Sequence, residues 1–158
     1  MRIYYDTGVL LKLYTVELES AAVRTFVINA GEAIPFLCLH QSECASALHL
    51  KAFRGECSVQ QANQALYDID EDLRSGVLER ILPEWELLWA RTFELSQAYS
   101  SITGCRTLDT LHVAAAQHLG VRHFATSDQR QSSLASRVGL RVFDPTNPGR
   151  HPPQKTGP

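Results

Sequence analysis

The sequence predicts an α/β domain whose mainly parallel central sheet is covered by helices on both faces. Short apolar runs, three to seven residues long, alternate along the chain with longer stretches in which apolar residues recur every three or four positions. The short runs carry the aromatic and β-branched side chains of buried strands. Glycines and helix-capping residues separate most of the segments. At 158 residues the chain has the length of one domain with a core large enough to fold unaided.

Taken in order, residues 2–5 read as a first strand that ends at Asp6. Val9, Leu10, Leu11, Leu13 and Tyr14 follow with helical spacing. Residues 19–29 form a second helix with Ala22, Val23, Phe26 and Val27 on one face. Residues 33–39 are the second strand, and helical spacing returns over 40–53. Ser58-x-x-Gln61 is a capping box opening a helix that carries Val59, Ala62, Leu66, Ile69 and Leu73 to Gly76. Residues 77–82 are a weak strand, and Pro83 suits the first turn of a helix striped with Trp85, Leu88, Thr92, Leu95 and Tyr99. Leu108, Leu111, Ala115 and Leu119 mark a further helix. The strands His123–Ala125 and Arg141–Phe143 flank a helical piece over 132–137. The domain is expected to span residues 1–144. Residues 145–158 hold five of the seven prolines and almost no apolar side chains, so a disordered or surface-draped tail is expected there.

Composition excludes several classes. No apolar run approaches the roughly 18 residues of a membrane span. Asp6 interrupts the first apolar run too early for a signal peptide, so a cytoplasmic protein without membrane association is expected. Cys38, Cys44, Cys57 and Cys105 form no C-x-x-C pair, which argues against a zinc site and leaves them as reduced, mostly buried small hydrophobes. A net charge of −2 looks unfavourable for a nucleic-acid partner. If four of the 17 acids form one metal site, 15 basic groups face 17 − 4 = 13 acids, and the objection lapses.

The placement of four acids is the informative feature. Asp6 follows the first strand directly, and Asp128 follows the strand His123–Ala125. Glu43 lies early in the helix after the second strand, and Asp109 lies in the first turn of a later helix. In a parallel sheet, strand C-termini and the N-termini of the following helices share the edge where ligands bind. Carboxylates gathered there repel one another by about 4 kcal/mol per pair at ~4 Å unless a cation intervenes. All-oxygen ligation suits Mg²⁺ or Mn²⁺, and such a site suits phosphodiester hydrolysis. The competing reading is that each acid merely caps a helix, since first turns attract Asp and Glu. Spacing leaves both readings open.

The surrounding residues carry a resemblance. Tyr5-Asp6-Thr7-Gly8-Val9-Leu10-Leu11-Lys12-Leu13-Tyr14 resembles the opening of PIN-domain proteins, in particular the VapC toxins of type II toxin–antitoxin pairs. Arg106-Thr107-Leu108-Asp109-Thr110-Leu111-His112 resembles the family's second motif, and Phe124-Ala125-Thr126-Ser127-Asp128 its third. Glu43, ahead of Ala47-Leu48, is similar to the family's helix-three glutamate. The resemblance runs in order over residues 1 to about 144. It implies a three-layer α/β/α PIN-like fold and metal-dependent cleavage of RNA, single-stranded or structured. Asp6, Glu43, Asp109 and Asp128 would be the catalytic Mg²⁺ or Mn²⁺ ligands, with Glu43 acting directly, through water or as a base. Thr126 would support them by hydrogen bonding. The implied partners are the RNA substrate, a small cognate antitoxin, a second copy of the chain, and operator DNA only through the antitoxin. A free-standing RNA-processing nuclease, or a non-catalytic module with the same fold, are the alternatives.

One departure from the family pattern stands at Gly8, where Ser, Thr or Asn is usual. The missing polar group bears on rate and local geometry more than on the metal site. Lys12, Lys51, Arg54, Arg106 and Arg130 are candidates for phosphate contacts. His112 is better read as a packed or hydrogen-bonding residue than as a proton carrier, and His40, three residues before Glu43, could share its helix face but is not expected to serve the site. Trp85 and Trp89 are expected to pack in the core or a dimer face rather than to stack on bases.

Overall fold

The computed structural model describes residues 2–147. Among the described residues five strands are separated by one or two helices each: β1 Ile3–Tyr5, α1 Thr7–Leu11, α2 Ser20–Ala30, β2 Ile34–Phe36, α3 Cys38–Phe53, α4 Val59–Ser75, β3 Leu78–Arg80, α5 Trp85–Thr103, α6 Thr107–His118, β4 His123–Ala125, α7 Gln129–Arg137 and β5 Arg141–Phe143. Every strand pair is parallel. β4 lies between β1 and β5 in one ladder, β2 pairs with β3 in another, and β1 lies beside β2.

The break between the ladders has a local cause. Ile34 donates its N–H toward β3, to the carbonyl of Val77, so the next residue would have to serve β1. That residue is Pro35, which has no N–H. His40 takes over the link. Its Nδ1 accepts the N–H of Leu37 at 3.0 Å, which leaves Nε2–H to donate to the Tyr5 carbonyl at 3.0 Å. The ring is fully buried, and burial lowers its pKa to about 3, so the bridge is neutral.

Two apolar clusters cover the two faces, as the sequence predicts for a three-layer α/β/α domain. Ile3 and Tyr5 of β1 pack with Val23, Phe26, Leu48 and Ile69 from α2, α3 and α4. Tyr4, pointing the other way, packs with Leu88, Leu95, Leu111 and Leu134 from α5, α6 and α7. At about 25 cal/mol per Å² of buried apolar surface, these faces are the main favourable term in folding.

Three boundaries differ from expectation. α1 stops at Leu11, because Leu13 and Tyr14 donate three residues back and the Thr15 hydroxyl takes the Leu11 carbonyl. α7 starts at Gln129, drawn forward by the Asp128 cap. Pro83 precedes α5, whose N-cap is Glu84. The α4 capping box forms as expected, with Gly76 in the left-handed region at its end. Cys44 and Cys105 are buried and Cys57 half-buried, but Cys38 is exposed because it opens α3 at the surface. Residues 145–147 make a turn in which the N–H and hydroxyl of Thr146 donate to Asp144. The rest of the expected tail lies outside the described residues.

Candidate functional site

β1 ends where the strand order reverses, and β4 ends beside it. In open α/β sheets this crevice is where ligands bind. Asp6 donates its N–H to the Ala125 carbonyl at 3.0 Å, which fixes the first acid to the end of β4. Its Oδ1 accepts the Val9 N–H at 2.6 Å, capping α1, and its Oδ2 accepts the Thr126 hydroxyl at 2.5 Å. Thr126 in turn accepts the Asp128 N–H at 3.0 Å. Asp128 caps α7 by accepting the N–H groups of Arg130 and Gln131, while the Arg130 guanidinium approaches its other oxygen at 3.3 Å.

These two acids are pulled in opposite directions. Asp6 is only 5% exposed, and burial raises its pKa despite the Thr126 and Val9 hydrogen bonds. The negative charge of Asp128 adds to the rise. Burial also acts on Asp128, but Gln131 and Arg130 outweigh it and hold that carboxyl below the ordinary value.

Glu43 is carried by the second turn of α3. Its Oε2 accepts the Thr7 hydroxyl at 2.5 Å and the His112 Nε2–H at 2.6 Å. With Nε2 donating, His112 Nδ1 is left to accept from the Tyr4 hydroxyl at 2.9 Å. Burial pushes Glu43 up, yet His112 and Thr7 together hold it below the usual glutamate value. His112 therefore has the hydrogen-bonding role expected of it. Thr7 and Tyr4 escaped the sequence reading. A tyrosine inside a buried strand is itself a signal, because its hydroxyl must find a partner.

Asp109 sits at the third position of α6, and its Oδ2 accepts the Arg106 N–H at 3.1 Å. Its carbonyl accepts from Gln131 Nε2 at 3.3 Å, and the Oε1 of the same glutamine lies 3.0 Å from the Thr126 hydroxyl. Thus Asp6 and Asp128 are joined through Thr126, Asp109 joins them through Gln131, and Glu43 meets Thr7, the residue after Asp6. All four stand along one edge of the sheet, but their carboxylates do not converge. Among the described residues no three acidic, histidine or cysteine side chains are grouped to hold a metal ion. Asp6, Asp109 and Asp128 all serve as helix caps, so the capping reading is realised.

The donor set nevertheless fits a hard divalent cation. It is all oxygen, and the most buried acid, Asp6, is the one whose charge the protein compensates least. Oδ1 of Asp109 and Oε1 of Glu43 carry no hydrogen bond among the described residues.

The candidate phosphate-binding cations divide. Lys12 is paired with Glu17 and Glu19, Lys51 with Glu17 and Glu56, and Arg54 approaches Glu56. They lie with the α1–α2 and α3–α4 connections, and their charges are already matched by Glu17, Glu19 and Glu56. Arg130 stands on Asp128. Arg106 is exposed beside Asp109, with no ion pair among the described residues. No described helix is long and apolar enough to cross a membrane.

Comparison with known proteins agrees with this architecture. The chain is 29% identical over 154 residues to Ribonuclease VapC46 of Mycobacterium tuberculosis, covering 91% of this chain and 98% of that protein. The crystal structure of FitAcB from Neisseria gonorrhoeae superposes with a TM-score of 0.54 at 15% identity, over 90% of this chain and 97% of that one, and so shares the fold. The model of the PIN domain matches residues 3–136, most of the chain, and the chain belongs to the PIN domain family.

Proposed function

We propose that the protein is a Mg²⁺- or Mn²⁺-dependent endoribonuclease and the toxin of a toxin–antitoxin pair. The observation that carries this reading is the buried Asp6 carboxylate, linked through Thr126 to Asp128 at the sheet crevice and left with its charge undercompensated. A structural cap gains nothing from such burial, whereas a cation site does. The similarity to Ribonuclease VapC46 over nearly the whole chain supports RNA as the substrate.

Asp6, Glu43, Asp109 and Asp128 would hold the ion. When bound, it makes water a better nucleophile and offsets charge building on a phosphoryl oxygen. The remaining chemistry belongs to the chain. Thr126 fixes the direction of Asp6 and the start of α7 together. His112 and Thr7 keep Glu43 ionised and aimed, leaving Oε1 as the atom that can take a proton or a ligand. Arg106, with no ion pair among the described residues, stands beside Asp109 where it can meet a phosphate of the substrate.

A small antitoxin encoded alongside would block the site, and operator DNA would be reached only through it. A second copy of the chain completes the proposed assembly. The unconverged carboxylates favour one other reading, a PIN-fold module that binds without cutting. Incubating the purified chain with a mixed RNA pool, with and without Mn²⁺, and mapping the cut ends separates the two. Metal-dependent, discrete ends are expected. Intact RNA under every condition would leave the binding module.

A further inference from the structure

Both tryptophans of the chain stand in one groove. Trp85 and Trp89, one turn apart on α5, face Leu39 of α3 and Leu108 and Leu111 of α6 across a space of about 550 Å³. Glu43 lines the same groove, so the apolar channel opens onto one of the site's acids. Trp85 is anchored against the core of the α5–α7 face, while Trp89 and Leu108 are 46% and 44% exposed. The wall is preformed, and part of it faces water.

We propose that this groove is a base-binding subsite, in which a nucleobase of an RNA substrate stacks on Trp89 beside the phosphate to be cut. The proposal rests on the ribonuclease reading and adds how that site grips its substrate. Among the described residues no Lys or Arg lines the groove, so it offers a phosphate no cationic partner. A base is the one part of a nucleotide with an apolar face, and every base has one, so stacking holds the strand without dictating its sequence. Continuity with Glu43 places the stacked base next to the acids that act on the adjoining phosphate. The sequence favours core or dimer-face packing for these tryptophans, and Trp85 does pack against the core, but the wall that Trp89 shares with Glu43 is created only by the fold.

The two tryptophans make the test direct, because tryptophan emission, excited beyond the tyrosine absorption band, reports this groove. In EDTA, a single-stranded RNA decamer should quench the emission of the native chain, and the same decamer carrying abasic residues should quench far less. In cleavage assays Trp89→Ala should raise KM roughly five- to 150-fold, the range expected for one lost base–aromatic stack, with the effect on KM rather than kcat. Trp89→Phe should recover most of it, and Phe53→Ala, on an exposed residue outside the groove, should leave KM as it is. Cleavage with an unchanged KM in Trp89→Ala would overturn the subsite and leave the ribonuclease reading standing. Loss of a small protein partner, or of a dimer, in that variant with KM unmoved would give the groove to protein instead. No quenching and no cleavage by the native chain would overturn both readings.

Discussion

Asp6 and Glu43 lie on either side of Thr7 in the network, yet the fold treats their charges in opposite ways. On the β1–β4 side, Asp6 is nearly sealed from water, and two hydrogen bonds do not offset the loss of hydration. On the α3–α6 side, Glu43 is half-exposed, and His112 and Thr7 more than offset its smaller loss. Both are carboxylates placed along the same edge of the sheet. The balance between burial and donors decides which carboxylate the protein tolerates and which it leaves wanting a counter-ion.

Removing each charge in turn is the strongest way to break this contrast. Asp6→Asn and Asp109→Asn should each lower cleavage by at least about a hundredfold, the scale for losing a group that meets transition-state charge. In EDTA the stability change in Asp6→Asn should be opposite in sign to that in Glu43→Gln. A raised aspartate is a penalty fully present above its folded pKa, and it vanishes as pH falls through that value toward the ordinary one near about 3.9. Asp6→Asn should therefore be more stable than the native chain at pH 7, with the advantage gone below the ordinary aspartate value. A depressed glutamate contributes stability present above its ordinary pKa and lost as pH falls through the lowered one. Glu43→Gln should be the less stable at pH 7 and converge on the native chain in acid. Urea melts at a series of pH values test both; parallel curves for the two variants would end the distinction.

The next effect sharpens the Glu43 side alone. His112→Leu removes the imidazole that aims Glu43 and strands the Tyr4 hydroxyl in the core. Cleavage should fall about ten- to a hundredfold, as for partners that orient a metal ligand. The stranded hydroxyl should cost about 1–3 kcal/mol. Adding Tyr4→Phe should return much of that stability without returning activity. Recovery of activity in the double variant would show that His112 acts by packing and not by orienting Glu43.

The two sides also differ in how far the sequence discloses them. Asp6, Thr126 and Asp128 are legible because each follows a strand within three residues, so local pattern fixes their place at the edge. The Glu43 side is assembled from residues 4, 7, 43 and 112, brought together only by packing across the sheet. Layer order and strand boundaries such as His123–Ala125 follow from apolar runs, but the split ladder does not. It depends on Pro35 and the His40 bridge facing the same gap. Capping was legible as a possibility for each acid, and the structure realises it for three.

That last point changes the expectation for Asp109. Mutual repulsion would make Asp109→Ala neutral or stabilising in the absence of metal, but its Oδ2 holds the Arg106 N–H. Asp109→Ala should instead cost about 0.5–2 kcal/mol, the usual range for a lost cap, while Asp109→Asn keeps the acceptor and costs less. Mg²⁺ should raise the melting temperature of the native chain and do so much less for either variant. An equal Mg²⁺ response in Asp109→Asn would take this residue out of the proposed site.

The smallest expected effect tests whether the Asp6 side is poor in donors because of Gly8. A Cβ built there lies 3.6 Å from Asp6 Oδ1 and 4.0 Å from Oδ2, which is ordinary contact, and the backbone is helical. Gly8→Ser should therefore fit, place a hydroxyl beside the undercompensated carboxylate, and add a few tenths of a kcal/mol through helix propensity. A rise of about 1–2 °C in melting temperature is expected for a domain of this size. Cleavage should shift by no more than a few-fold. The informative readout is the pH series: the advantage of Asp6→Asn at pH 7 should shrink in the Gly8→Ser background, because the new donor lowers the Asp6 pKa toward its ordinary value. An undiminished advantage would mean that burial by the β1–β4 crevice, and not the missing side chain at position 8, sets the cost of the Asp6 charge.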